Sequence, residues 1–225
     1  VLVGAIDRAG AERIVGQFMA AIAPHGCESL PAVPEVPTLT AAVDQRIPFD
    51  AAQAQVLMGQ PGMARNDPDF FPLFVGNYIL GGGGFVSRLT TEVREKRGLS
   101  YSVYSYFAPG LQAGVFQLGL TTRPDQAEQA LAVVREVVQR FVADGPTEAE
   151  LQAAKNFLVN GFALRIDSNR KLLDNVANIA WYGLQLDYLD GWTAQVQRVG
   201  TADIRRAFQR VLQPERMVTV VLGAR

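Results

Sequence analysis

Arg94 and Tyr101 stand seven positions apart in the stretch Arg94-Glu95-Lys96-Arg97-Gly98-Leu99-Ser100-Tyr101. A guanidinium and a phenol are both hydrogen-bond donors at neutral pH, and a turn at Gly98 would let them point into one cleft and hold a peptide carbonyl. In amide hydrolysis the carbonyl oxygen gains negative charge as water adds, so fixed donors stabilise the transition state more than the ground state. Ahead of the pair run Gly81, Gly82, Gly83 and Gly84, whose bare backbone could form a flexible cleft wall or a tight passage between helices. The run lacks the Gly-Lys-Ser/Thr ending of a phosphate loop, which argues against nucleotide binding. From spacing alone a plainer reading carries more weight. In it Arg94 shares a solvated face with Lys96 and Arg97, Tyr101 packs at a sheet edge, and the glycines are a connector.

Other chemistry finds less support. The sole histidine, His25, and sole cysteine, Cys27, lie two apart in a proline-rich stretch. Two ligands do not close a tetrahedral metal site, so both read as incidental linker residues. A single linker histidine supports neither a Ser-His-Asp nor a Cys-His arrangement. Asp44, Asp50, Asp67 and Asp69 fall near turns or a helix start, where capping explains them. Trp181, Tyr182, Tyr188 and Trp192 read either as helix packing or as a partner-facing surface. A lone cysteine excludes an intramolecular disulfide and leaves the redox compartment open. With 21 basic and 22 acidic side chains, net charge −1, 48% hydrophobic and 19% charged residues, the composition is globular and gives no global field for nucleic acid or an anionic membrane. No apolar run reaches the roughly 18 residues of a membrane span. The chain opens at Val1 without an initiator Met or a signal peptide, and we expect preceding residues to have been removed.

The elements that must position Arg94 and Tyr101 follow from periodicity. Ser87 to Arg97 reads as a short helix with Leu89 and Val93 on one face, stopped by Gly98. Alternation from Tyr101 to Phe107 and from Val115 to Thr121 predicts two strands of an antiparallel hairpin around Ala108-Pro109-Gly110. An exposed edge of such a sheet could take an extended peptide by strand addition. Asp50 to Gln60 reads as a further strand. Asp67-Pro68-Asp69 then opens a helix lined by Phe70 or Phe71, Phe74, Tyr78 and Ile79. Pro124 to Val142 is the clearest amphipathic helix, with Ala127, Ala130, Leu131, Val134, Val137, Val138 and Phe141 on one stripe. Thr147-Glu148-Ala149-Glu150 is a capping box opening another, with Leu151, Ala154, Leu158 and Phe162 inward. Helical pattern covers Lys171 to Leu186 and Thr201 to Leu212, and Met217 to Ala224 closes the chain as a strand. At the other end, residues 1–7 read as a strand followed by a helix with Ile14 and Phe18 and a long stretch, Pro24 to Pro48, of extended linker chemistry. The order predicts an α+β fold, a mostly antiparallel sheet packed against a layer of helices. The expected division is 1–23 as the end of a preceding half-domain, 24–45 as linker and 46–225 as the main domain.

Asn77-x-x-Leu80-Gly81-Gly82, Ser87-Arg88-Leu89 and Val93-Arg94-Glu95-Lys96-x-Gly98-Leu99-x-Tyr101 together resemble the C-terminal, non-zinc-binding half of the pitrilysin-like (inverted zincin) metallopeptidases of the processing-peptidase type. The resemblance implies that Arg94 and Tyr101 reach a substrate bound at a zinc carried by the other half, with Gly81 to Gly84 in the substrate-binding wall. The family's zinc site is H-x-x-E-H plus a distant Glu, and this chain has no second histidine. The chain is therefore expected to have no catalytic or metal-ligating residue of its own, to bind no cofactor, and to be inactive alone. Zinc belongs in the missing N-terminal half or in a partner subunit forming a heterodimer, and the substrate is an extended peptide. Bacterial relatives suggest a periplasmic location. The alternative is a non-catalytic relative that serves assembly or peptide binding.

Overall fold

The computed structural model describes residues 1–22 and 31–223. The readings of His25 and Cys27 lie outside the described residues. Strands β1 (Val43–Ile47), β2 (Ala54–Pro61), β3 (Ser102–Ala108), β4 (Val115–Thr122) and β5 (Val218–Leu222) form one sheet in the order β1-β5-β2-β4-β3. Only the β1–β5 pairing is parallel. The helices are α1 (Arg8–Ala20), α2 (Phe70–Asn77), α3 (Ala127–Asp144), α4 (Glu148–Asn160), α5 (Asn169–Trp181), α6 (Tyr188–Arg198) and α7 (Thr201–Val211). This is the α+β architecture that the element order predicts.

The core lies between one sheet face and the helices. Alternate residues Ala54, Val56, Met58 and Gln60 of β2 are buried, and opposite them Thr122, Leu120, Leu118 and Phe116 of β4 point the same way. All seven residues of the stripe predicted for α3 are buried. α7 adds Phe208, whose ring meets Phe141 at 4.8 Å and Phe107 at 6.0 Å. α2 crosses α7 at Gly76, where a Cβ would stand 2.4 Å from Phe208 Cε2, so only glycine permits the approach. The Thr147–Glu150 capping box opens α4 as predicted, with both reciprocal bonds formed. The β3–β4 hairpin closes Ala108 onto Val115.

Four local expectations need correction. Residues 1–7 form no strand; they pair with no strand among the described residues, and Asp7 instead caps α1 through Gly10 N–H at 2.8 Å. The Pro24–Pro48 stretch is not linker throughout, because Val43–Ile47 forms β1 against β5, where Asp44 pairs with Arg135 at 2.7 Å rather than capping a turn. Asp67 and Asp69 do more than open α2: they converge on Arg210 of α7 at 2.5 and 2.8 Å and tie the two helices together. Helix α6 falls where no helix was predicted, burying Trp192 and Val196 one turn apart.

Candidate functional site

The 77–101 stretch departs from regular helix twice. α2 runs into a widened π-type turn over Tyr78–Gly82, and a second such turn covers Thr90–Glu95. Between them the Ser87 hydroxyl donates to Gly84 O at 2.8 Å and its oxygen accepts from the Thr90 hydroxyl at 3.1 Å, restarting the helix. In the second turn Lys96 N–H reaches Thr91 O, five residues back, at 3.0 Å. Leu99 N–H then bonds Val93 O at 2.9 Å, and Gly98, at φ +61°, turns the chain into β3. Widening shifts side chains out of helical register and recurs at functional sites. Leu89 and Val93, both fully buried, hold the segment to the core as their spacing predicts.

Asn77 and Gly81 lock the first widened turn to β3. Asn77 Nδ2 donates to Ser105 O at 3.0 Å, and Asn77 Oδ1 accepts from Ser105 Oγ at 2.8 Å. A Cβ on Gly81 would stand 2.4 Å from the same Oγ. Although β3 is the last strand of the sheet, its mid-strand carbonyl at Ser105 is thus already engaged. A carbonyl oxygen can accept a second hydrogen bond, so strand addition along this edge is compatible with the Asn77 contact.

The cations of the second segment have different partners. Arg88 makes a two-pronged pair with Glu150 at 2.6 and 2.7 Å and donates to Gly145 O at 3.0 Å. Burial alone would raise the Glu150 carboxyl, but hydrogen bonds from Arg88 and Thr147 outweigh it and hold the pKa at about 2. Lys96 and Arg97 both bond Glu92 at 2.6 Å and hold its carboxyl below the usual range. Arg94 alone of these four has no carboxylate partner among the described residues; its guanidinium lies 4.5 Å from the centre of the Phe85 ring.

Arg94 and Tyr101 line the same open cleft, of about 800 Å³, and Gly81, Gly82 and Gly84 belong to its wall. Gly83 does not line it and lies instead against Tyr78, whose carbonyl oxygen would be 2.6 Å from an added Cβ. Tyr101 is 88% exposed and its hydroxyl bonds no group among the described residues. The cleft also takes in residues that the sequence did not single out: Arg65, Tyr104 and Tyr106, and Asn175 and Asn178 of α5. No local pattern marks Arg65, which sits in the loop before α2. Tyr104 and Tyr106 were visible only as alternate residues of a strand; their rings stack at 6.1 Å. Of the four aromatic residues left open between packing and surface, Trp192 packs on Phe162 at 4.8 Å, Tyr188 on Phe71 at 6.2 Å, Tyr182 lines the cleft and Trp181 is exposed. Among the described residues no three His, Cys, Asp or Glu side chains are grouped to hold a metal, so they do not fit zinc by themselves. No helix among them is long and apolar enough to cross a membrane.

Residues 1–158 match the family model described as the peptidase M16 inactive domain. An uncharacterized zinc protease of Streptomyces coelicolor is 33% identical over 171 residues, which is 75% of this chain and 37% of that protein. A non-peptidase homolog of Helicobacter pylori is 30% identical over 164 residues, 69% of this chain and 36% of that one. The crystal structure of a peptidase M16 inactive domain from Pseudomonas fluorescens superposes with a TM-score of 0.90 at 35% identity, covering 98% of this chain and 52% of that chain. The chain thus spans between a third and about half the length of these proteins.

Proposed function

Because the chain belongs to the peptidase M16 inactive-domain family, we propose that it is the substrate-binding C-terminal part of a zinc-dependent endopeptidase, completed by an N-terminal half or partner subunit carrying H-x-x-E-H. Zinc held by that other half would supply the Lewis-acid chemistry. Within this chain, Arg94 and Tyr101 donate hydrogen bonds to the carbonyl oxygen of the bond being cut and stabilise the charge that grows there. The cleft wall orients the peptide. The observation that carries the reading is that Arg94 has no carboxylate partner among the described residues in the cleft that also holds the exposed Tyr101. A half-buried guanidinium without a counter-charge is poised for a ligand that brings one.

The test is cleavage of a quenched fluorogenic peptide by this chain mixed with zinc and an H-x-x-E-H subunit. Cleavage is expected to need both chains. Arg94→Ala and Tyr101→Phe should each lower kcat/KM at least about tenfold, about 1.4 kcal/mol of transition-state stabilisation. Activity that persists without this chain, or unchanged in both variants, ends the catalytic reading. A second reading, peptide binding or assembly without catalysis, draws on the likeness to a protein named as a non-peptidase homolog. Saturable peptide binding with no cleavage under any pairing would select it.

A further inference from the structure

Among the described residues every charged side chain in the cleft wall is cationic. They contribute Arg65 and Arg94 and no Asp, Glu, Lys or His, although the whole chain has a net charge of −1. Arg65 repeats the situation of Arg94. Its guanidinium lies 3.9 Å from the centre of the Phe70 ring and 4.8 Å from that of Tyr188, half-buried, with no carboxylate partner among the described residues. Stacking on two rings fixes the plane of the guanidinium and leaves its edge N–H groups for a planar acceptor.

The two arginines are anchored at opposite ends of β3. Arg94 precedes the Gly98 turn into the strand, whereas Arg65 N–H bonds Gly110 O at 2.8 Å, just beyond the strand's other end. The seven residues of β3 span about 23 Å at roughly 3.3 Å each. Between the two arginines Asn77 Nδ2 already donates to Ser105 O, so side chains add recognition there to any main-chain pairing.

Resting on the peptidase reading above, we infer that Arg65 is a specificity residue that binds an Asp or Glu side chain of the peptide about five to seven positions from the carbonyl held by Arg94 and Tyr101. The carboxylate is a side chain's and not a chain terminus, because an endopeptidase substrate continues past this point. Tyr104 and Tyr106 supply the apolar surface between the two cations.

The test is fluorescence anisotropy of labelled, end-blocked peptides long enough to overrun β3, each with one Glu moved stepwise along an otherwise neutral sequence, and their Gln isosteres. With the unmodified chain at low salt, Glu at one favoured position should bind at least about fivefold tighter than Gln. Arg65→Gln should reduce that preference below about twofold, and Arg65→Lys, a point charge without the planar fork, should leave it intermediate. Equal binding of Glu and Gln peptides at every position overturns the inference, as does no binding at all or a preference that survives Arg65→Gln. The peptide-side exchange needs no variant to fold. Acid preference without cleavage would sink the peptidase reading and leave this subsite; cleavage without acid preference would do the reverse.

Discussion

A single methyl group separates the roles of the glycines between 81 and 84. At Gly81 an added Cβ would lie 2.4 Å from Ser105 Oγ, 2.6 Å from Leu89 Cδ1 and 2.7 Å from Ser105 N, so β3 and the second widened turn would both have to move. At Gly84 the same Cβ meets nothing within 4 Å, and the cost is confined to holding φ at +60°. Gly81→Ala is therefore expected to lose about 2–3 kcal/mol in urea unfolding, by overpacking, and Gly84→Ala about 1 kcal/mol, by backbone strain. Equal losses would mean that contact with β3 is not what selects glycine at 81. The run was legible in the sequence as special, but its division of labour was not, because Gly81 needs a neighbour that lies 24 positions further along. Arg94 was legible in the same limited way. Lys96 and Arg97 read as surface charge and do spend themselves on Glu92. That Arg88 is taken by Glu150, leaving Arg94 as the free cation of the segment among the described residues, depends on a pairing 62 positions away.

At the scale of elements, the Arg88–Glu150 pair joins the segment that carries Arg94 to the first turn of α4. Glu150 serves two structures at once, since Oε2 also accepts from Thr147 N–H at 2.7 Å in the capping box. Its carboxyl sits at about 2 in the folded chain against an ordinary 4.5. A depressed carboxylate contributes stability that is present above the ordinary pKa and lost as pH falls through the folded one. Allowing for solvent screening of a side chain 31% exposed, the loss between pH 5 and pH 2 from this group is on the order of 1–2 kcal/mol. Urea unfolding of the unmodified chain and of Glu150→Gln across that range should show the gap between them closing as pH falls; a constant gap would assign the cost of the variant to packing. The box and the α3 stripe were readable because their signals are local, within four residues or one helical face. β1 was not readable: all five of its residues are exposed, so it shows no alternation, and it exists through backbone pairing with β5 at the far end of the chain. For α6 a signal was present, Tyr188, Trp192 and Val196 at steps of four, but Gly191 and two buried positions make a weak stripe.

For the whole molecule, the sheet with α2, α3, α4, α6 and α7 closes on one core, to which α5 and α1 add no residue. α1 buries only Gly10, and Ile14, Val15, Phe18 and Met19 remain exposed, Phe18 at 68%. Its 13 residues are about the length at which an isolated helix is marginal in water. β2 and β4, by contrast, are hydrogen-bonded on both sides and lie over the core. Stability is therefore unevenly distributed, and amide exchange should report it. In the chain alone, α1 amides are expected to exchange within about tenfold of free-chain rates, whereas those of β2 and β4 should wait for global unfolding. If the proposed N-terminal half covers this helix, adding it should slow α1 by at least about a hundredfold while leaving β4 unchanged. An α1 already as slow as β4 in the chain alone would mean that its apolar face is covered in solution by a second copy. Dilution would then restore fast exchange, because protection by a second copy depends on concentration and protection within one chain does not.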